Sequence, residues 1–183
     1  MTEKTIRDLM IPIEKYAVVD NDATVRDALI ELRESQARLS PGSFFHRSVL
    51  IRNKDGTIVG KIGHWALLKA VEPRYKQMDD VQNLSRAGLT SDFVKSMAIE
   101  IDLLKSDLRE RCRRIRSMNV TEIMRPVTEQ VDISVSLSEA IHSIVTLQTL
   151  SIVITDHGKA VGLLRLSDLF HVVREIIISE DEE

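Results

Sequence analysis

The chain repeats itself, and that repeat limits its fold more than any other feature. Leu150 to Glu175 (LSIVITDHGKAVGLLRLSDLFHVVRE) reads as strand, tight turn, strand and helix. Ser151–Thr155 is apolar and rich in β-branched residues, as a buried strand should be. Asp156-His157-Gly158-Lys159 is a turn, with Gly158 available for positive φ. Ala160–Leu166 is the return strand. Ser167 is placed to cap a helix beginning at Asp168, with Leu169, Phe170, Val172 and Val173 as its buried face. The same grammar stands earlier, as strand (SVLIR, ending at Arg52), turn (Asn53-Lys54-Asp55-Gly56), return strand (Thr57–Ile62) and helix (Trp65–Val71).

The segments that open each copy match as well. Val120–Pro126 (VTEIMRP) echoes Ile6–Pro12 (IRDLMIP), setting Met124 against Met10 and Pro126 against Pro12. Ser136–Val145 echoes Ala23–Leu32, each a helix with cap residues before it (Thr24 in the first copy) and apolar positions at helical spacing. Gly162 matches Gly60, and Gly158 matches Gly56. Met10 and Met124 lie 114 positions apart, but Gly60 and Gly162 only 102, so the first copy has the longer middle loop, around Ser40-Pro41-Gly42-Ser43. Two such copies imply two similar units about a pseudo-twofold axis, since each alone has little core.

Charge and composition remove several classes of function. A net charge of -3 gives no bulk attraction to nucleic acid or to an anionic membrane. Aromatic residues are 4%, too few for base-stacking platforms. The single cysteine, Cys112, rules out an intrachain disulfide and fits a reducing compartment. MTEKTIRDLM lacks the apolar core of a signal peptide. No apolar run reaches the roughly 18 residues that span a bilayer. The expectation is a cytoplasmic protein with no nucleic-acid or membrane partner. The five histidines (His46, His64, His142, His157, His171) show no metal-ligand spacing, and no catalytic motif stands out, so neither a metal site nor an enzyme is expected.

Taken in order, the repeated motifs resemble a tandem pair of CBS domains, a Bateman module. The resemblance rests on the repeated Met-x-Pro opening, the helix, the strand ending in an Asp-Gly or His-Gly turn, and the Val-Gly return strand leading to Asp-Leu. It implies an α+β fold of two β-α-β-β-α units packed through their sheets, with residues 1–72 and 118–178 as the two motifs. It further implies a stand-alone regulatory module, a homodimer, and a cleft for an adenosine-containing ligand such as AMP, ADP, ATP or S-adenosylmethionine, with no cofactor required. The family's nucleotide motif runs Gly, two hydrophobic residues, Thr or Ser, two residues, then Asp. In the second copy this is Gly162-Leu163-Leu164-Arg165-Leu166-Ser167-Asp168. Asp168 matches the ribose-binding carboxylate. Arg165 replaces the hydroxyl, and a guanidinium also binds phosphate. In the first copy Gly63 and Ala66 stand at these positions, without polar groups. The nucleotide residues implied are therefore Gly162, Arg165 and Asp168. Asp168 also suits a purely structural place at a helix N-terminus.

Residues 73–117 lie outside the repeat and read as a helical insertion. Val94, Met97, Ile101, Leu104, Leu108, Ile115 and Met118 form a heptad-like seam, interrupted by Arg111. Such a helix needs a partner, either this chain's own core or a second chain. Hence an alternative function is ligand-independent dimerisation, or scaffolding of an unidentified protein. Arg109, Arg113 and Arg116 crowd the helix end, either as a solvated face that suits the dipole or as an anion site. The stretch 179–183 is an acidic tail.

Overall fold

A computed structural model describes residues 4–39, 45–72, 108–128 and 130–179. The first copy comprises α1 (Ile6–Leu9), β1 (Ile11–Pro12), β2 (Val18–Asp20), α2 (Val25–Ala37), β3 (Ser48–Arg52), β4 (Ile58–Gly63) and α3 (His64–Val71). After α4 (Leu108–Arg116) the second copy follows as β5 (Arg125–Pro126), β6 (Gln130–Asp132), α5 (Leu137–Thr146), β7 (Ser151–Asp156), β8 (Lys159–Arg165) and α6 (Leu166–Ser179). The loop at Ser40–Ser43, most of the seam and the acidic end lie outside the described residues.

Local chemistry sets these elements. Thr24 caps α2 and Ser136 caps α5, each reciprocally with the acidic residue three positions on, Asp27 and Glu139. The β7–β8 turn places both central residues at positive φ, His157 at 49° and Gly158 at 76°. That is the backbone a two-residue hairpin of matching twist requires.

The sheets do not divide as the repeat does. One sheet runs β1-β8-β7-β6 and the other β2-β3-β4-β5. Each opening strand has crossed to the opposite copy. β1 pairs antiparallel with β8, Pro12 opposite Gly162, and β5 pairs antiparallel with β4, Pro126 opposite Gly60. The methionines explain the glycines. A Cβ on Gly60 would lie 2.3 Å from Met124 Sδ, and one on Gly162 would lie 2.8 Å from Met10 Sδ and from the Ile11 carbonyl. Each glycine is needed because the other copy's opening segment presses on it. Ile6 correspondingly enters the second copy's core, and Val120 the first's.

Between the sheets, Leu50 meets Val153 and Leu163 in one cluster. On the outer face of the second sheet, Ile152, Ile154 and Leu164 pack with Ala140, Ile144 and Leu169. Strands β3 and β7 are thus buried on both faces, which explains their unbroken apolar runs.

Three local expectations are corrected. Helix α6 starts at Leu166, so Ser167 lies inside it and does not cap it. Phe170 is exposed, while Leu169 and Val172 face inward. The return strand is β8, Lys159–Arg165, one residue earlier than expected. Within the insertion, the described end packs in cis, with α4 against α3 and α2. Ile115 is buried there, but Leu108 of the same seam is exposed.

Candidate functional site

The pseudo-twofold axis makes two junctions between the copies, and they are built differently. The first joins the end of β8 to the start of β3. At the β8–α6 boundary, the chain turns so that Arg165 and Asp168, three residues apart, face each other. Arg165 Nε donates to Asp168 Oδ2 at 2.7 Å and Nη2 to Oδ1 at 2.6 Å. Each side chain is only 11% exposed. Arg165 Nη1 also reaches across to the Phe45 carbonyl of the first copy, at 3.4 Å. Two of the three nucleotide-motif residues are thus brought together. Gly162 lies under Met10 and the Ile11 carbonyl.

A buried polar group that sequence reasoning passed over lies beside this pair. His46 is fully buried and stacks on Tyr16, with ring centroids 4.3 Å apart and planes at 23°. Tyr16 shares a 2.9 Å hydrogen bond with Ser48. His46 Nδ1 lies 3.3 Å from Ser35 Oγ, whose own hydroxyl donates to the Leu32 carbonyl. Ser35 is therefore the acceptor, His46 carries its proton on Nδ1, and Nε2 is left buried with no hydrogen-bond partner. Burial pushes the His46 pKa below its usual value, helped by Arg165 and Arg38, with Asp168 opposing. Burial likewise pushes the Tyr16 hydroxyl up. The one signal in the sequence was position: His46 lies two residues before the strand that starts at the junction.

At the second junction Lys61 takes the opposite part. It occupies the position equivalent to Leu163, between the sheets. Its Nζ donates to Thr149 Oγ1 at 3.1 Å and to the Ser151 carbonyl at 2.8 Å. Gly63 and Ala66 add no polar side chain, as the sequence already indicated.

Other groups do not converge in this way. Arg109, Arg113 and Arg116 lie along the exposed side of α4, and Arg113 pairs with Glu110 at 3.0 Å. Arg111 instead turns inward and ties α4 to the end of α3 through Glu72, at 2.6 Å. An open groove of about 550 Å³ lies between β6 and α5, lined by Asp132, Glu139 and His142. Its acids serve the local backbone, Asp132 through Ser134 and Glu139 through Ser136. Among the described residues no group of three or more His, Cys, Asp or Glu is arranged to hold a metal ion. Among them, too, no helix is long and apolar enough to cross a membrane.

The sequence profile of the CBS domain matches residues 120–175. The overall arrangement recurs in solved CBS-pair structures. The chain folds as a tandem CBS pair. CBSX2 from Arabidopsis thaliana, a CBS-pair protein, superposes with a TM-score of 0.60 at 19% identity, covering 96% of this chain and 97% of that one. A CBSX2 crystal structure in complex with AMP gives 0.58 at 18% identity, over 94% and 97%. A CBS domain-containing protein of unknown function from Bacillus anthracis gives 0.61 at 17% identity, over 94% of each chain. A search of curated proteins finds no match. In this CBS pair, the motif positions with polar chemistry belong to the second copy alone.

Proposed function

We propose that this CBS pair is a regulatory module that takes an adenosine-containing ligand at the junction formed by Arg165, Asp168 and the start of β3. The observation that carries this is the placement of Arg165 and Asp168. A carboxylate suited to a ribose diol and a guanidinium suited to phosphate stand together between the copies. Crystallisation of CBSX2 with AMP supports the ligand class. The other junction, which lacks both groups and holds Lys61, takes no nucleotide in this reading. Occupancy acts by population shift, because a ligand touching both copies favours one arrangement of them over another.

Isothermal titration against AMP, ADP, ATP and S-adenosylmethionine tests this. Heat of binding and a rise in melting temperature are expected. No heat and no shift at millimolar ligand overturn the reading.

A second reading has its own observation. Trp65 on α3 is 72% exposed and Phe170 on α6 is 64% exposed, with Leu68 and Ile177 also facing outward. Exposed apolar side chains of this size on helices favour association with another copy or with a partner protein. Light scattering across a dilution series checks this: a mass independent of concentration and equal to one chain rejects it. Dimerisation alone, indifferent to nucleotide, is the outcome that would replace the sensor with a scaffold.

A further inference from the structure

The next step rests on the nucleotide reading above and concerns how the site chooses its ligand. Where the family motif carries a hydroxyl, this chain carries Arg165, and the guanidinium engages the carboxylate that a ribose would need. Both oxygens of Asp168 accept from Arg165, in a nearly buried bidentate pair. The neighbouring aromatic groups, Tyr16 and His46, are buried and bring no second carboxylate.

Such a pair is hard to open by halves. A neutral ligand offering only a diol could take Asp168 only by taking from the guanidinium the carboxylate it pairs with. An anion without a diol could take Arg165 only by leaving the carboxylate uncompensated. Either outcome splits the ion pair in a site with little water. A molecule carrying a phosphate and a vicinal diol replaces both partners at once: phosphate oxygens accept from Arg165, and the hydroxyls donate to Asp168. We infer that the Arg165–Asp168 pair is an internal latch, opened only by a ligand bearing both groups, so that the junction selects nucleotides against nucleosides and against free phosphate. Because Arg165 also holds the Phe45 carbonyl, opening the latch changes a contact between the copies. At the other junction Lys61 donates to the Thr149 hydroxyl and the Ser151 carbonyl.

The test is titration of the full chain with AMP, adenosine, 2′-deoxy-AMP and inorganic phosphate. AMP should bind about 100-fold tighter than each of the other three, since each leaves a buried group unpaired. In Arg165→Met, AMP should weaken and adenosine should strengthen, a change of opposite sign within one variant. If AMP binds the wild type and Arg165→Met weakens both ligands equally, the latch is wrong while the nucleotide reading stands. If no nucleotide binds the wild type, the nucleotide reading fails and the latch with it. Should Arg165→Met not fold, Asp168→Asn supplies the answer. Its guanidinium lacks a counter-charge, so inorganic phosphate should raise its melting temperature by about 2–4 °C and leave the wild type unmoved. Absence of that difference overturns the latch.

Discussion

The two junctions of this CBS pair come from one repeated plan, yet they hold their cations in different ways. At one, Arg165 is neutralised by Asp168. At the other, Lys61 is held by the Thr149 hydroxyl and the Ser151 carbonyl. The positions correspond through the register of each hairpin: Val49 lies opposite Ile62 as Ile152 lies opposite Leu164. Ser48 and His46 therefore stand where Ser151 and Thr149 stand in the second copy. The difference teaches that a repeat conserves the frame of a site more readily than its charge balance. A compensated ion pair can be exchanged for a ligand that brings both charge-satisfying groups. The Lys61 junction instead holds its ammonium on a hydroxyl and a carbonyl.

The largest effect should come from breaking the compensated side. Arg165→Ala leaves Asp168 buried without its counter-charge and should cost about 3–5 kcal/mol of stability, read from urea unfolding. A loss below about 1 kcal/mol would mean that water reaches the carboxylate freely.

The crossed opening strands allow a second comparison of halves. Gly162→Ala drives its methyl into the Ile11 backbone carbonyl as well as Met10, whereas Gly60→Ala meets mainly the flexible Met124 side chain. Both should destabilise by about 1–3 kcal/mol, Gly162→Ala the more. Shortening the methionine should then separate them. Met124→Ala recovers most of the Gly60→Ala loss, but Met10→Ala does not recover the Gly162→Ala loss. Thermal melts of the four single and two double variants decide this, and equal rescue in both halves would contradict the backbone contact.

Lys61→Leu places in the first copy the residue that the second copy has at Leu163. It removes an ammonium whose acceptors keep another bond, since the Thr149 hydroxyl donates to the Ser151 carbonyl. Stability should change by no more than about 1 kcal/mol, far less than for Arg165→Ala. A loss as large as that of Arg165→Ala would make the two junctions energetically alike.

The smallest effect is a pH dependence confined to the first junction. His46 has a depressed folded-state pKa, so the unfolded chain binds the proton more readily. Its contribution is fully present above the ordinary value of 6.5 and is lost as pH falls from there toward the depressed folded value. His46→Phe should remove that part of the slope. The check is wild-type minus variant stability between pH 7.5 and pH 5, and a difference constant across that range would show that His46 does not titrate between the two states.

Much of this was legible in the chain because it is local. Strand runs, the Thr24 cap, the His157-Gly158 turn and the duplicated Met, Pro and Gly positions are all decided by neighbours within a few residues. The motif also marked Arg165 and Asp168, which a turn from strand to helix three residues long brings together. The buried face of α6 differs from the expectation at Phe170 because an apolar residue reads the same whether it turns inward or outward.

What the sequence by itself determined, then, is a duplicated strand-turn-strand-helix unit whose second copy alone keeps polar groups at the motif. Tertiary structure alone decided the rest. The repeat marks Met10 and Gly162 as special without saying that they touch across the copies. It shows His46 as one histidine among five, and Lys61 as an ordinary strand lysine. These assignments depend on contacts between segments far apart in the chain, where register and burial are set by how two sheets pack. That packing also placed the Arg165–Asp168 pair, nearly buried, between the copies, and so decided that any ligand at this junction must compete with the protein's own charges.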